Sequence, residues 1–250
     1  MITDYLEQIF ELDTIEDIWT LHTTTMKTYG FDRLLYAYTR FKNEKLMANP
    51  LDSLVLSSHN PAYVDGFIQE GHYLNGPMLR WSHENDGACS WSWVQEQLRA
   101  NKFTAGELKA LEYNRKMDVT AGYSIGFKSD STRARGGLGM TAKIGISQGE
   151  VDVIWKQHGR EILMASNVMH LKVISLPYNN LRCNLTRRQR QVLEWVGDGK
   201  TMQDIATIMG LTSATVEKHL RLAREALDVD TTAQAVLKAS FQNQIFIFEA

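Results

Sequence analysis

Cysteine is scarce in this chain: 250 residues hold two, Cys89 and Cys183. Two thiols cannot build a disulfide framework or a four-cysteine zinc site. No run of about 18 apolar residues exists, so no membrane span is expected. The opening MITDYLEQIF is acidic and has no basic stretch leading into an apolar one, so no signal peptide is read and a cytoplasmic protein is expected. A charge excess is missing too. Lys and Arg number 27 and Asp and Glu 29, a net of −2, which on its face argues against a polycationic nucleic-acid binder. Internal repeats and low-complexity tracts are absent. What is present is ordinary globular material, 44% apolar and 22% charged, enough for a conventional core and inconsistent with a disordered chain. At about 150 residues per domain, one or two domains fit.

The first part mixes two periodicities. Residues 14–28 place Ile15, Ile18, Trp19, His22 and Met26 at helical spacing, and Gly30 follows as a stop. Leu34–Tyr38 reads as a strand and Leu54–Leu56 as a weaker one. Residues 61–73 and 104–117 read as helices, the second opened by Thr104 with Glu107 three later, a capping box. Two strand-like runs follow, Tyr123–Lys128 and Leu138–Ile146, joined by the polar SDSTRARGG. A long amphipathic helix over 148–174 has Val151, Ile154, Trp155, Ile162, Leu163, Val168 and Leu171 as its stripe. Pro177 and Asn179-Asn180 mark a linker at 177–184. The domains expected are therefore 1–176, α/β with antiparallel strands, and 185–250, all helical.

In the second domain Thr186 with Gln189, and Thr201 with Asp204, open two helices; Gly199 ends the first and Gly210 the second, and Thr212 or Ser213 caps a third. Ala206, Gly210 and Val216 supply a small residue at a helix crossing, a glycine for a left-handed bend and a β-branched residue that seats one helix on the other. Ile205, Ile208, Leu211 and Leu220 would fill the core around them. This spacing suits a helix-turn-helix, and also a plain pair of antiparallel helices.

The run LTRRQRQVLEWVGDGKTMQDIATIMGLTSATVEKHLRLAREALDV settles that choice by resemblance. Residues 184–240 are similar to the LuxR-type DNA-binding domain, whose pattern is L-T-x-R-E-x-x-V-L, G-K-[ST]-x-x-E-I-A, [ST]-x-x-T-V-x-x-H-L and K-L-x-V. The resemblance implies that the second helix of the pair enters the major groove. Its exposed face here would be Thr215, Glu217, Lys218, Arg221 and Arg224. Arg221 is expected on a base edge, where its fork bridges guanine O6 and N7. Lys218, His219, Arg224, Lys200 and Thr201 are expected to hold phosphate. Three positions depart from the pattern: Gln189 replaces the usual Glu, Glu217 occupies an often basic place, where it could accept from cytosine N4, and Thr231-Thr232 replaces a polar-plus-Arg pair. The family pairs two such domains through the last helix, here about 232–243 with Ala235, Val236 and Ala239. Packing on its own domain is the other use of that face. The apolar tail from Ile245 to Phe248 suits burial.

The family sets an acyl-homoserine-lactone pocket ahead of this module. AYVDGFIQEGHYLNGPMLRWSHENDGACSW resembles its W-x3-Y-x8-D-P-V segment and the Trp that follows. Tyr63 falls at the first Trp position, Phe67 at the Tyr, Gly76 at the Asp, Pro77 at the Pro and Trp91 at the later Trp. Thr141 falls at a late-strand Ser or Thr that faces the ligand. The resemblance implies an aromatic pocket that Tyr36, Tyr38, Trp81 and Trp93 would help to line, with core packing as the other role for these rings. Family members use that Trp, Tyr and Asp to bind lactone carbonyl, amide carbonyl and amide N–H. Tyr63 can still donate, Phe67 cannot, and Gly76 has no acceptor. Another acceptor, another apolar ligand, or a side-chain-filled pocket would each answer this.

Gly122-Tyr123-Ser124-Ile125-Gly126 matches the nucleophile elbow G-x-S-x-G, with Asp152 and His158 or His170 following in triad order. Tyr123, Ile125 and Phe127 alternate straight through it, which reads as mid-strand instead. Gly199-Lys200-Thr201 lacks a P-loop's first glycine, since Glu194 stands there. His59, His72 and His83 lack metal-ligand spacing, and Gly136-Gly137-x-Gly139 reads as a hairpin exit. The expectation is thus an α+β protein: an N-terminal α-β-α sandwich with an antiparallel sheet, then a four-helix helix-turn-helix domain. It would be a homodimeric regulator of double-stranded operator DNA, reading half-sites about one helical turn apart, under control of a small-molecule signal. No enzyme, metal or cofactor is expected. A ligand-independent regulator and a Ser124 hydrolase are the alternatives. Within 183–250, eight cations meet eight carboxylates, so the position of the positive charges must carry any DNA binding, not their number.

Overall fold

The computed structural model describes residues 2–39, 53–129, 134–176 and 185–246. It divides into two compact units, Met1–Val173 and Ile174–Ala250. The segment expected as a linker, 177–184, and the end of the apolar tail lie outside the described residues.

The first unit runs α1 (Ile2–Phe10), α2 (Ile15–Thr28), β1 (Phe31–Thr39), β2 (Ser53–Ser57), α3 (Pro61–Gln69), a 3-10 turn (His72–Asn75), α4 (Pro77–Glu84), β3 (Gly87–Ser90), α5 (Ser92–Arg99), α6 (Ala105–Lys116), β4 (Gly122–Phe127), β5 (Arg135–Ala142) and α7 (Gln148–Ser175). The five strands form one sheet in the order β2-β1-β5-β4-β3, and every neighbouring pair is antiparallel. Period-two alternation divides its side chains sharply. Tyr36, Tyr123, Ile125, Phe127, Leu138 and Met140 point to one face. There they meet α2 and α7: Tyr36 packs 6.4 Å from Trp19, Tyr123 stacks on Trp155 at 4.0 Å, and Phe127 stacks on His170 at 4.1 Å. α1 closes this layer through Tyr5, whose hydroxyl bonds His22 Nδ1 at 2.9 Å and Ala165 O at 3.3 Å. The other face carries Ala37, Gly122, Ser124, Gly126, Gly137, Gly139 and Thr141, all small, and faces α3 to α6. The molecule's N-terminal unit is an α-β-α sandwich, as the residue patterns implied.

Sequence periodicity missed α1, α4, β3 and α5, each of nine residues or fewer. The helix expected over 61–73 stops at Gln69, because Gly71 turns left-handed at φ 71°. The strand expected to Ile146 ends at Ala142, where the chain turns through Gly145 at φ 92°. Leu171, placed on the buried stripe of α7, is 62% exposed; Ala165, Ser166 and Met169 are buried there instead.

The second unit comprises α8 (Arg187–Gly197), α9 (Met202–Met209), α10 (Ser213–Leu227) and α11 (Thr232–Phe241). Val192, Leu193, Ile205, Val216, Leu220 and Leu227 fill its core. Ile208, expected inside, is exposed, since it lies on the outer side of a two-turn helix. Ala235 and Ala239 are fully buried and Val236 partly, so that face of α11 packs on its own domain.

Candidate ligand cavity and nucleic-acid interface

The small-residue face of the sheet makes room for a cavity. A Cβ at Gly126 would fall 2.0 Å from Asn85 O, and one at Gly137 2.5 Å from Ser82 Oγ, so the C-terminal end of α4 lies directly on the strands there. At Gly139 the nearest atom within 4 Å is Leu35 O at 3.8 Å. Here the helices stand off, and a cavity of about 500 Å³ opens between the sheet and α3 to α6. Leu35, Val55, Val64, Met78, Leu79 and Leu111 are among its apolar walls.

α3 presents the aromatic wall. Asn60 caps it by accepting from Ala62 N at 2.9 Å, and Pro61 fits the first turn. Tyr63 and Phe67, four apart, then share a face. Their rings stack 5.4 Å apart, with His59 4.5 Å and Tyr113 5.7 Å from Tyr63. The Tyr63 hydroxyl donates to Asn114 Oδ1 at 3.0 Å. Burial pushes its phenol well above the usual tyrosine range, so it stays a neutral donor. Burial, with Arg33 nearby, lowers the His59 imidazole to about 4 and leaves it neutral at physiological pH.

The sheet supplies the polar floor. Trp91 Nε1 donates to Ser124 Oγ at 3.0 Å. Ser124 is 3% and Thr141 2% exposed, and both border the cavity. Gly76 borders it as well, at the N-cap of α4 with no side-chain cap; a Cβ there would meet nothing closer than 3.5 Å. Arg135 pairs with Asp86 at 3.2 Å and Arg115 with Glu112 at 3.0 Å at the margin. No Asp or Glu borders the cavity among the described residues.

Of the residues expected around a ligand, Tyr63, Phe67, Gly76, Trp91 and Thr141 converge on this cavity. Tyr38 borders it too, while its ring packs edge-on against His170 at 5.3 Å. Tyr36 is elsewhere: fully buried on the opposite sheet face, with its hydroxyl 2.9 Å from His170 Nδ1. Trp81 does not border the cavity, and Trp93 packs on Phe103. His59, Asn114 and Ser124 were not foreseen as lining residues. The small-large alternation of GYSIGF could have revealed Ser124. The chain runs on as β4 through Ser124 rather than turning into a helix, and no histidine is among its hydrogen-bond partners.

In the second unit Thr201 and Asp204 form a capping box: Thr201 Oγ1 accepts from Asp204 N at 3.2 Å, and Asp204 Oδ2 accepts from Thr201 N at 3.0 Å. The Thr201 hydroxyl and amide hold the Asp204 carboxyl below the usual carboxylate range. Gly210 turns left-handed at φ 65° and Thr212 caps α10. This is a helix-turn-helix, with Ala206 and Val216 at the crossing. Glu217, Lys218 and Arg221 are exposed along α10, Thr215 and His219 half-buried, and Lys200 exposed before α9. Arg221 pairs with Glu225. Arg224 reaches Glu217 Oε1 at 3.1 Å and Thr232 Oγ1 at 2.9 Å. Both arginines therefore carry a carboxylate partner from their own helix.

A family model described as autoinducer binding domain matches residues 14–173. One described as bacterial regulatory proteins, luxR family, matches 183–239. The chain is 25% identical over 166 residues to the transcriptional activator protein LuxR of Aliivibrio fischeri, which covers 65% of this chain and 63% of that protein, less than two thirds of its length. The crystal structure of Escherichia coli SdiA aligns over 98% of both chains with a TM-score of 0.51 and 17% identity. That of CepR2 from Burkholderia cenocepacia, an N-acylhomoserine-lactone-dependent LuxR family transcription factor, covers 70% of this chain and 96% of that one with a TM-score of 0.53 and 12% identity. At these identities the structures speak for the fold.

Proposed function

This chain belongs to the LuxR family of regulatory proteins, an autoinducer-binding domain followed by a luxR-type helix-turn-helix domain, and on that premise we propose that it is a transcriptional regulator whose grip on operator DNA is set by a small apolar ligand. The observation that carries this reading is the cavity of about 500 Å³, apolar in its walls and polar at a few points, inside the domain that matches the autoinducer model. Such a volume, with few convergent polar groups, is the character of a small-molecule site. That space counts against a pocket filled by its own side chains.

Two α10 helices in a homodimer would enter successive major grooves about one turn apart. Arg221 is the base reader in this scheme, with Lys218, His219, Arg224 and Lys200 on phosphate and Thr215 and Glu217 at the groove wall. The α11 face carrying Ala235 and Ala239 is spent within its own domain, so pairing through α11 would use its outer side, where Leu237 is 43% exposed. Ligand control follows if the ligand binds one domain arrangement better than another and shifts the population toward it. No helix among the described residues is long and apolar enough to cross a membrane.

Native mass spectrometry of the full chain tests the reading together with selection from a random duplex library. A dimer carrying a small molecule, and a selected site with two-fold symmetry whose affinity changes when the molecule is extracted, is the expected outcome. A ligand-free protein with unchanged site affinity would instead establish a ligand-independent regulator.

A further inference from the structure

Ser124 carries a consequence for the ligand's chemistry. We propose that the cavity takes a neutral ligand whose polar head is a carbonyl without an adjacent N–H, a ketone or ester, received by the hydroxyls of Ser124 and Thr141. This rests on the cavity being a ligand site.

Trp91 Nε1–H occupies one lone pair of Ser124 Oγ at 3.0 Å. The hydroxyl hydrogen of Ser124 must then point away from the indole, and no described side chain or backbone group accepts it. Ser124 is 3% exposed and borders the cavity, so its hydrogen is left to whatever occupies that space. Thr141, 2% exposed, has no hydrogen-bond partner for its hydroxyl among the described residues. The two lie on adjacent strands: Ser124 is opposite Gly139 and Thr141 opposite Gly122, which makes them diagonal neighbours on the cavity side. Diagonal side chains are about 7–8 Å apart at Cα and closer at their tips. With only Gly139 and Gly122 between them, one carbonyl oxygen set into that gap meets two donors.

The same inventory works against an N–H. The described cavity wall holds no carboxylate. Ser124 Oγ already accepts from Trp91, and a hydroxyl that accepts an N–H still has its own hydrogen to place, so an amide head asks more of this pair than a bare carbonyl does; an N–H left unpaired weakens binding about 10- to 100-fold. An anionic head is also unsupported, since the marginal Arg135 and Arg115 already pair with Asp86 and Glu112. Tyr63 spends its hydrogen on Asn114. An amide seated the same way would need a more distant acceptor of the wall, the Gln95 amide oxygen or the neutral imidazole of His59, to take its N–H.

Isothermal titration of the full chain with methyl decanoate, N-methyl decanamide and decanoate decides this. The ester should bind about 10-fold or more tightly than the amide and the anion. In a Trp91→Phe background, where no freed indole can substitute, Ser124→Ala should cost the ester about 5- to 10-fold, with Thr141→Val adding a similar loss. Equal or tighter binding of the amide or of decanoate overturns the proposal, as does ester binding indifferent to both hydroxyls. If none of the three binds, the ligand-site reading of the cavity fails with it, a result separable from wrong head-group chemistry.

Discussion

Gly126 and Gly139 lie on the same face of neighbouring strands, yet a methyl group added to each should act in opposite directions. At Gly126 the new Cβ would sit 2.0 Å from Asn85 O and 2.7 Å from Ser82 O, backbone atoms that end α4, where ordinary contact begins at 3.4 Å. The helix end must retreat by more than 1 Å from the sheet. Overpacking of this kind costs about 1–3 kcal/mol, occasionally more. At Gly139 the methyl enters the cavity with Leu35 O at 3.8 Å. Nothing must move, and the loss of glycine's backbone freedom favours the folded state by about 0.5–1 kcal/mol. For a unit of this size each kcal/mol moves the midpoint by about 2–4 °C. Gly126→Ala should therefore melt about 2–12 °C lower than the natural chain, and Gly139→Ala about 1–4 °C higher. Thermal unfolding followed by near-ultraviolet circular dichroism reads the pair directly. Shifts of the same sign and size at both positions would refute the picture of a helix pressed on one end of the sheet and a cavity at the other.

Three further outcomes are expected. Arg221→Ala should weaken binding to the selected DNA site by about 1–3 kcal/mol and relax one base preference, measured by fluorescence anisotropy at fixed salt. Gly76→Asp places an acceptor at the cavity wall where a Cβ fits, so N-methyl decanamide should gain about 10-fold on methyl decanoate in the same titrations. His22, fully buried with an unpartnered Nε2, has its imidazole lowered by burial to about 3. The unfolded chain takes up a proton below about pH 6.5 that the native chain refuses until about pH 3, so this contribution is complete above 6.5 and declines as pH falls. His22→Phe should spare about 2 kcal/mol of the stability lost between pH 6.5 and 4.5, as urea titrations would show.

The helices with caps were legible residue by residue. Thr104 with Glu107, Thr186 with Gln189 and Thr201 with Asp204 all form the capping boxes their spacing announced, because a cap is a local interaction that three or four residues specify. α4 and α5 were not. PMLRWSHE and SWVQEQLR are each about two turns long and lack a side-chain cap; α4 is held by its seat on β4 and β5, which no window of sequence contains. The cavity followed the same division. The motif positions from Tyr63 to Trp91 were readable, but the role of Tyr36 was not, since its face depends on strand pairing: the register Tyr36–Leu138 turns it toward α7. Ser124 looked like chemistry because glycines flank it two residues away on either side, whereas what it meets in space is an indole and the cavity.

The two arginines of α10 suggest how such a reader would search a genome. Each already holds a glutamate of its own helix; pairs this exposed are worth about 0–1 kcal/mol, so on the proposed reading either arginine would exchange its glutamate for DNA at small cost. On that reading a guanine edge would give Arg221 a two-point contact that carries sequence information, which a phosphate contact does not. Two α10 helices acting together in a dimer would then set how firmly such a regulator stays on its site.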